Sequence, residues 1–280
     1  MMLKREYKNK EMLSVIGFGG ILVSKVTQEE ANDYIAEAID NGINYFDVAP
    51  TYGNSQDRMG PGLEGKRNGV FLACKTTMRT AKEAESELQD SLKKLRTDHF
   101  DLYQLHGINN VEDAKTCLGP NGAMETFIRA REKGYVRYLG FSVHSEEAAI
   151  YLMEQFDFDS TLFPVNWVCH FTNGFGDKIM EAAVKKNVAR LALKGMAHTV
   201  RPENYKEYPK AWYMPVEEKD LAQITLRFTL SQPVTAALTP GYIEYLRWAM
   251  EVGKDFKPVT PEEIDLLKEK SNGVKPIFHV

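Results

Sequence analysis

Short apolar runs alternate with amphipathic helical stretches along almost the whole chain, and that alternation constrains the fold more than any single motif. Strand candidates occupy 13–19, 45–49, 70–76, 101–106, 136–142, 161–166, 188–194 and 235–239. Helical patterns follow at 27–39, 58–63, 80–95, up to 133–134, 145–155, 177–186 and 216–231. Strands that each return through a helix build a parallel sheet. Eight of them in 280 residues fit a (β/α)8 TIM barrel as one domain spanning 1–280, with a short N-terminal extension and C-terminal helices at 243–252 and 261–270. An open doubly wound sheet is the weaker alternative, because Gly17-Phe18-Gly19-Gly20 is too short for a Gly-x-Gly-x-x-Gly turn.

Local signals support these boundaries. Thr27-Gln28-Glu29-Glu30 is a capping-box start, Asn41-Gly42 suits a left-handed helix end, and Ala84, Leu88, Leu92 and Leu95 form one apolar stripe. Two long connections, 107–121 and 195–215, read as loops, and loops of that length tend to carry function.

With 43% hydrophobic and 26% charged residues, the chain has the material for a sizeable core. A formal charge of -4 gives no electrostatic reason to expect nucleic acid as a partner. No run approaches the ~20 apolar residues of a membrane helix, and the first residues lack a signal-peptide core, so a cytoplasmic location is expected. Cys74, Cys117 and Cys169 are scattered, and His106, His144 and His170 lack compact ligand spacing, so no metal site is expected.

In such a barrel all strand C-termini open onto one face, which brings Asp47, Lys75 and His106 together with Tyr52, a few residues above the second strand. Taken singly, Asp47 and Lys75 also read as a structural ion pair, His106 as a core residue and Tyr52 as a loop anchor. Together they suit proton transfer. A phenol with a pKa near ~10 is a poor acid, but an adjacent ammonium favours the phenolate. Asp47 would orient Lys75, and His106 would hydrogen-bond a carbonyl oxygen beside Tyr52.

These residues resemble the aldo-keto reductase family. Its Asp-x-Ala-x-x-Tyr-Gly motif is matched by Asp47-Val48-Ala49-Pro50-Thr51-Tyr52-Gly53, its strand-three lysine by Ala73-Cys74-Lys75 and its strand-four histidine by Asp101-Leu102-Tyr103-Gln104-Leu105-His106. Gly140-Phe141-Ser142 and Pro164-Val165-Asn166 extend the likeness. The resemblance implies an oxidoreductase that interconverts a carbonyl and an alcohol with NADP(H) or NAD(H), Tyr52 acting as proton donor. It further implies that Ser142 and Asn166 hold the nicotinamide carboxamide, although each also reads as a polar cap at a strand end. Gly20 and Gly241 would let the cofactor approach or simply serve turns.

Two departures from the family pattern concern the cofactor. At the end of strand seven, where an aromatic residue often stacks on the nicotinamide, the chain has Leu193, followed by Lys194 facing the cofactor pyrophosphate, the substrate or solvent. After strand eight, the position of the usual 2′-phosphate cation is Ile243 and the next is Glu244. An acidic side chain repels a 2′-phosphate and accepts from a ribose diol, which weakens NADPH preference unless Arg247 supplies the charge.

The cofactor-binding set is therefore Gly20, Asp47, Ser142, Asn166, Lys194, Gly241, Glu244 and Arg247. Trp167 and His170 are the substrate-side candidates. His198, Arg201, Tyr205, Trp212 and Tyr213 either line a sugar or polyol site or anchor the loop. The expected partner is a small carbonyl or alcohol. The alternative functions are a cofactor-binding regulatory or interaction subunit, and an isomerase or lyase that retains its nicotinamide. Oligomeric state is not legible.

Overall fold

The computed structural model describes residues 1–280 and contains two short hairpins and a closed barrel. The N-terminal hairpin pairs β1 (Lys4–Glu6) with β2 (Met12–Ser14). The chain then runs β3 (Ile16–Gly19), α1 (Gln28–Asp40), β4 (Tyr45–Asp47), α2 (Ser55–Gly62), β5 (Phe71–Thr76), α3 (Ala81–Lys94), β6 (Phe100–Ile108), α4 (Val111–Leu118) and α5 (Ala123–Glu132). It continues through β7 (Val136–Val143), α6 (Glu146–Gln155), β8 (Ser160–Pro164), α7 (Trp167–Asn173), α8 (Asp177–Lys185) and β9 (Ala189–Leu193). A second hairpin, β10 (Ala197–Val200) with β11 (Tyr213–Pro215), precedes α9 (Lys219–Ser231), β12 (Ala236–Leu238), α10 (Ile243–Lys254) and α11 (Pro261–Ser271). Strands β3 to β9 pair in parallel in chain order and β12 closes the ring between β9 and β3, which is the (β/α)8 barrel.

The period of two along each strand sorts the side chains into two cores. Phe46, Leu72, Cys74, Tyr103, Leu105, Leu139 and Phe141 face outward into a cluster shared with the helices. Tyr45, Phe71, Ala73, Leu102, Leu162, Leu191 and Leu238 fill the barrel interior. Gly17 sits opposite the Tyr45 ring, where a Cβ would come within 2.5 Å of a ring carbon, so the missing side chain leaves room for the tyrosine. The N-terminal hairpin plugs the bottom: Tyr7 and Leu13 join the interior cluster, and the Tyr7 hydroxyl donates to Ser160 Oγ at 2.8 Å.

The helices form where their signals stand. Thr27 and Glu30 make a reciprocal capping box at α1, and Thr80 caps α3, whose Ala84, Leu88 and Leu92 are buried. Burying each such leucine stabilises by roughly 2 kcal/mol. Three short features depart from expectation. Segment 107–121 contains α4 and is not a plain loop. Residues just after β8 form α7. Segment 195–215 carries the β10–β11 hairpin and a strap between its strands.

Candidate active site

The strand period that fills the interior with Tyr45, Phe71, Ala73 and Leu102 puts Asp47, Lys75, Gln104 and His106 at the upper end of the same inward rows. Asp47 and Lys75 are fully buried and form an ion pair. The Asp47 carboxylate also accepts from Gln104 Nε2 at 3.0 Å and, at 3.4 Å, from the Tyr45 hydroxyl. Lys75 Nζ reaches the Tyr52 hydroxyl at 3.5 Å and lies 5.1 Å from the Tyr52 ring centre. The Tyr52 and His106 rings meet edge to face at 5.8 Å. All four expected catalytic side chains therefore converge.

Their electrostatics differ from expectation in one sign. Burial raises the Tyr52 pKa and outweighs the opposing pull of the Lys75 ammonium, so the phenol is held protonated instead of being drawn toward phenolate. Burial would lower Lys75, but the Asp47 carboxylate beside it opposes this and keeps the ammonium charged. His106 is driven well below the usual imidazole value by burial first, then by Lys75, His144, Arg79 and Lys194. A neutral ring follows at pH 7. Its Nδ1 is buried with no partner; a proton there would be an orphaned donor, so the N–H belongs on Nε2.

Two supporting residues escape sequence reading. Gln104 stands in the quoted motif, and a polar residue on the inward row of an apolar strand was its available signal. Arg79 had none. Its guanidinium pairs with Asp113 at 2.6 and 2.8 Å and donates to the carbonyl oxygens of His106 at 3.0 Å and Gly107 at 3.4 Å, which fixes the end of β6.

Above these residues lies a cavity of about 330 Å³. Tyr52, His106, Ser142, Leu193, Lys194 and Gly241 line it, together with Ile21, His144, Lys210, Trp212, Tyr213 and Thr239. The strap from 201 to 212 crosses its rim. Arg201 ties the strap to itself through the Tyr205 and Ala211 carbonyls. The Lys210 amide donates to the Tyr242 hydroxyl at 2.6 Å, and Lys210 Nζ donates to the Leu22 carbonyl at 2.8 Å. Of the loop residues with two readings, Arg201 and Tyr205 serve as anchors and Trp212 and Tyr213 line the cavity. His198 stacks on Trp167 at 5.8 Å.

Several expected site residues stand elsewhere. Trp167 is fully buried and donates its indole N–H to the Ala197 carbonyl at 3.0 Å, because α7 turns it into the core. His170 pairs with Asp177 at 2.8 Å beside Phe171 and Phe228, in a small recess outside the barrel mouth. Neither lines the cavity. The Asn166 amide caps α7 by accepting from the Cys169 N–H at 3.0 Å, and it donates to the Lys194 and Ala197 carbonyls at 2.9 and 2.8 Å. Both its N–H groups are thus committed within the protein. Gly20 packs on strand β4, where a Cβ would lie 2.9 Å from the Asp47 carbonyl oxygen. Glu244 is exposed in the first turn of α10, and Arg247 grips Glu37 of α1 with two bonds of 2.8 and 2.9 Å.

The mouth suits a nicotinamide nucleotide in its donor set. Ser142 faces the cavity, Thr239 Oγ1 is buried there without a partner, and two lysines line it with no ion-paired carboxylate. No cluster of His, Cys, Asp or Glu has metal-holding geometry, and no helix is long and apolar enough to cross a membrane.

A family model described as "Aldo/keto reductase family" matches residues 15–271. An oxidoreductase of Bacillus subtilis named YqkF, itself described as uncharacterized, is 25% identical over 95% of this chain and 96% of its own length. Aldo-keto reductase YhdN of the same organism is 35% identical over 108 residues, about a third of each chain. Among solved structures, aldo-keto reductase AKR11C1 from Bacillus halodurans in its holo form superposes with a TM-score of 0.76 at 20% identity, covering 100% of this chain and 99% of that one.

Proposed function

Because this chain belongs to the aldo-keto reductase family and is an NAD(P)-dependent oxidoreductase that interconverts carbonyls and alcohols, we propose that Tyr52 is its proton donor. The observation that carries this is the continuous buried chain from Gln104 through Asp47 and Lys75 to the Tyr52 hydroxyl. Bound at the mouth, the nicotinamide supplies the hydride to the carbonyl carbon. Burial keeps the phenol protonated until a carbonyl oxygen arrives. Lys75 then stands beside the oxygen that gives up the proton, and a phenolate forming next to an ammonium costs less than one forming alone. Asp47 holds Lys75 in place, Gln104 and Tyr45 hold Asp47, and the Nε2–H of neutral His106 donates to the same carbonyl oxygen.

On the cofactor side we assign Ser142 to the carboxamide and Lys210 to the phosphates, with NADPH not strongly preferred over NADH. Glu244 repels a 2′-phosphate, and Arg247 is committed to Glu37. The substrate is a small carbonyl or alcohol held against Trp212 and Tyr213, and a sugar suits such a wall. A relative from Arabidopsis thaliana, 22% identical over 57% of this chain, bears the name L-galactose dehydrogenase. We place the activity in a single domain, 1–280, in the cytoplasm.

Tyr52→Phe tests the assignment. Turnover is expected to fall by about 10²–10⁴ while cofactor binding, followed by nicotinamide fluorescence, persists. Wild-type turnover in that variant would remove Tyr52 from the chemistry.

A further inference from the structure

One cation at the mouth has no task in the proton-transfer chain. Lys194 follows the last residue of β9, where strict alternation would turn it away from the interior row that ends at Leu193. Its backbone instead takes a left-handed conformation, with φ of 68°, which is uncommon for a residue other than glycine. The contacts that hold it are visible. The Lys194 carbonyl accepts from Asn166 Nδ2 at 2.9 Å and from the Ala197 N–H at 3.0 Å, and the Leu193 carbonyl accepts from the Val165 N–H at 3.0 Å. Pinned this way, the side chain enters the cavity that Tyr52 and His106 also line.

There the ammonium lies 4.2 Å from the Tyr213 ring centre and 5.2 Å from that of Trp212. It joins none of the chain's ion pairs, whereas the other lysine in the catalytic cluster, Lys75, is neutralised by Asp47. Burial alone pulls Lys194 down to about 7, with no carboxylate to oppose it. The cavity it enters is the one that Tyr52, His106 and His144 line. The second cation of the cavity, Lys210, is bonded to the Leu22 carbonyl. An aromatic-walled lysine with no counter-charge, held in a strained backbone beside the reacting groups, is a receptor for an anion.

We propose that Lys194 binds an anionic group carried by the substrate, so that the preferred carbonyl is an acid-bearing one, a carboxylate or phosphate derivative, not a neutral aldehyde. This rests on the carbonyl being held between Tyr52 and His106.

The test compares matched substrates. Succinic semialdehyde and butanal share a four-carbon aldehyde and differ in the carboxylate; glyceraldehyde 3-phosphate and glyceraldehyde form the phosphate pair. The wild-type enzyme is expected to favour the acid of at least one pair at least tenfold in kcat/KM, through KM. Whichever pair shows the ratio identifies the anion. Lys194→Gln should bring that ratio to within twofold, and Lys194→Arg should restore most of it. A wild-type ratio near one in both pairs, or a ratio that survives Lys194→Gln, overturns the proposal. So does a tenfold rise in NADPH or NADH dissociation constant in Lys194→Gln with the substrate ratio intact, which would give the lysine to the cofactor phosphates.

A turnover-free readout separates this from the Tyr52 assignment. Succinate and inorganic phosphate titrated into the wild-type NADPH complex should give a saturable tryptophan fluorescence change with at least one of them, absent in Lys194→Gln. No change in the wild type with either anion counts against Lys194 whatever Tyr52→Phe does. Conversely, an active Tyr52→Phe enzyme sinks the proton donor and leaves the acid-to-neutral ratio readable.

Discussion

Replacing Lys75 with methionine should destabilise the fold by more than its lost packing explains. The side chains of Lys75 and Asp47 are 0% and 1% exposed, so the substitution leaves a carboxylate buried without its counter-charge. Breaking a buried pair from one side costs about 3–5 kcal/mol. Gln104 at 3.0 Å remains as a good donor and Tyr45 at 3.4 Å as a long one, which places the expected loss near the lower end, about 3 kcal/mol. Methionine fills most of the lysine's volume, so cavity formation adds little. For a chain of this size such a loss lowers Tm by roughly 6–12 °C.

The double variant Asp47→Asn/Lys75→Met isolates the charge. It removes the stranded carboxylate while keeping a polar group of the same shape for Gln104 and Tyr45, and it should be at least about 2 kcal/mol more stable than Lys75→Met alone. Urea unfolding followed by circular dichroism at pH 7, with m-values compared across the wild type and the two variants, reads both quantities. A loss under about 1 kcal/mol in the single variant, or a double variant no more stable than the single, would refute an energetically coupled pair. Loss of turnover in both variants is expected and decides nothing about stability.

Acid sensitivity should trace in part to His144, whose imidazole burial holds at about 4. Its folded pKa is below the unfolded value, so its contribution is full above pH ~6.5 and is lost as pH falls from there toward 4. His144→Asn should flatten the stability profile between pH 7 and 4 by up to about 3 kcal/mol, and an unchanged slope would contradict it. Arg79→Met should release the end of β6, raising KM and lowering thermal stability by a few degrees, because the His106 and Gly107 carbonyls lose their donor; wild-type kinetics would show that β6 holds His106 unaided. Arg247→Ala should change the NADPH-to-NADH ratio of dissociation constants less than threefold, whereas a tenfold loss confined to NADPH would show that Arg247 leaves Glu37 to grip the 2′-phosphate. Gly17→Ala should lower Tm measurably, since its methyl would stand 2.5 Å from a Tyr45 ring carbon in a filled interior; an unchanged Tm would mean that the barrel yields.

What could be read from residue order was whatever a period of two controls. Asp47, Lys75, Gln104 and His106 lie on inward rows, so parallel pairing alone brings them to one mouth. Short elements carry too few residues for a period to show, which is why α4 and α7 read as loop. Residue type and position also fail where a neighbour competes for the same polar group. Asn166 has the chemistry to hold a carboxamide, yet both its N–H groups are spent on the Lys194 and Ala197 carbonyls and its oxygen also caps α7; Arg247 has the charge for a phosphate, yet Glu37 takes it. Burial reversed the expected sign at Tyr52 for a related reason. Proximity to Lys75 is visible in the motif, but desolvation depends on how the strap and the neighbouring strands close around the ring. Lys194 shows the converse, a residue that alternation would send outward and that tertiary hydrogen bonds turn in. The same Asn166 amide makes that turn, so Asn166→Ala should relax the Lys194 backbone and lower acid selectivity while the Tyr52 to Gln104 chain stays intact.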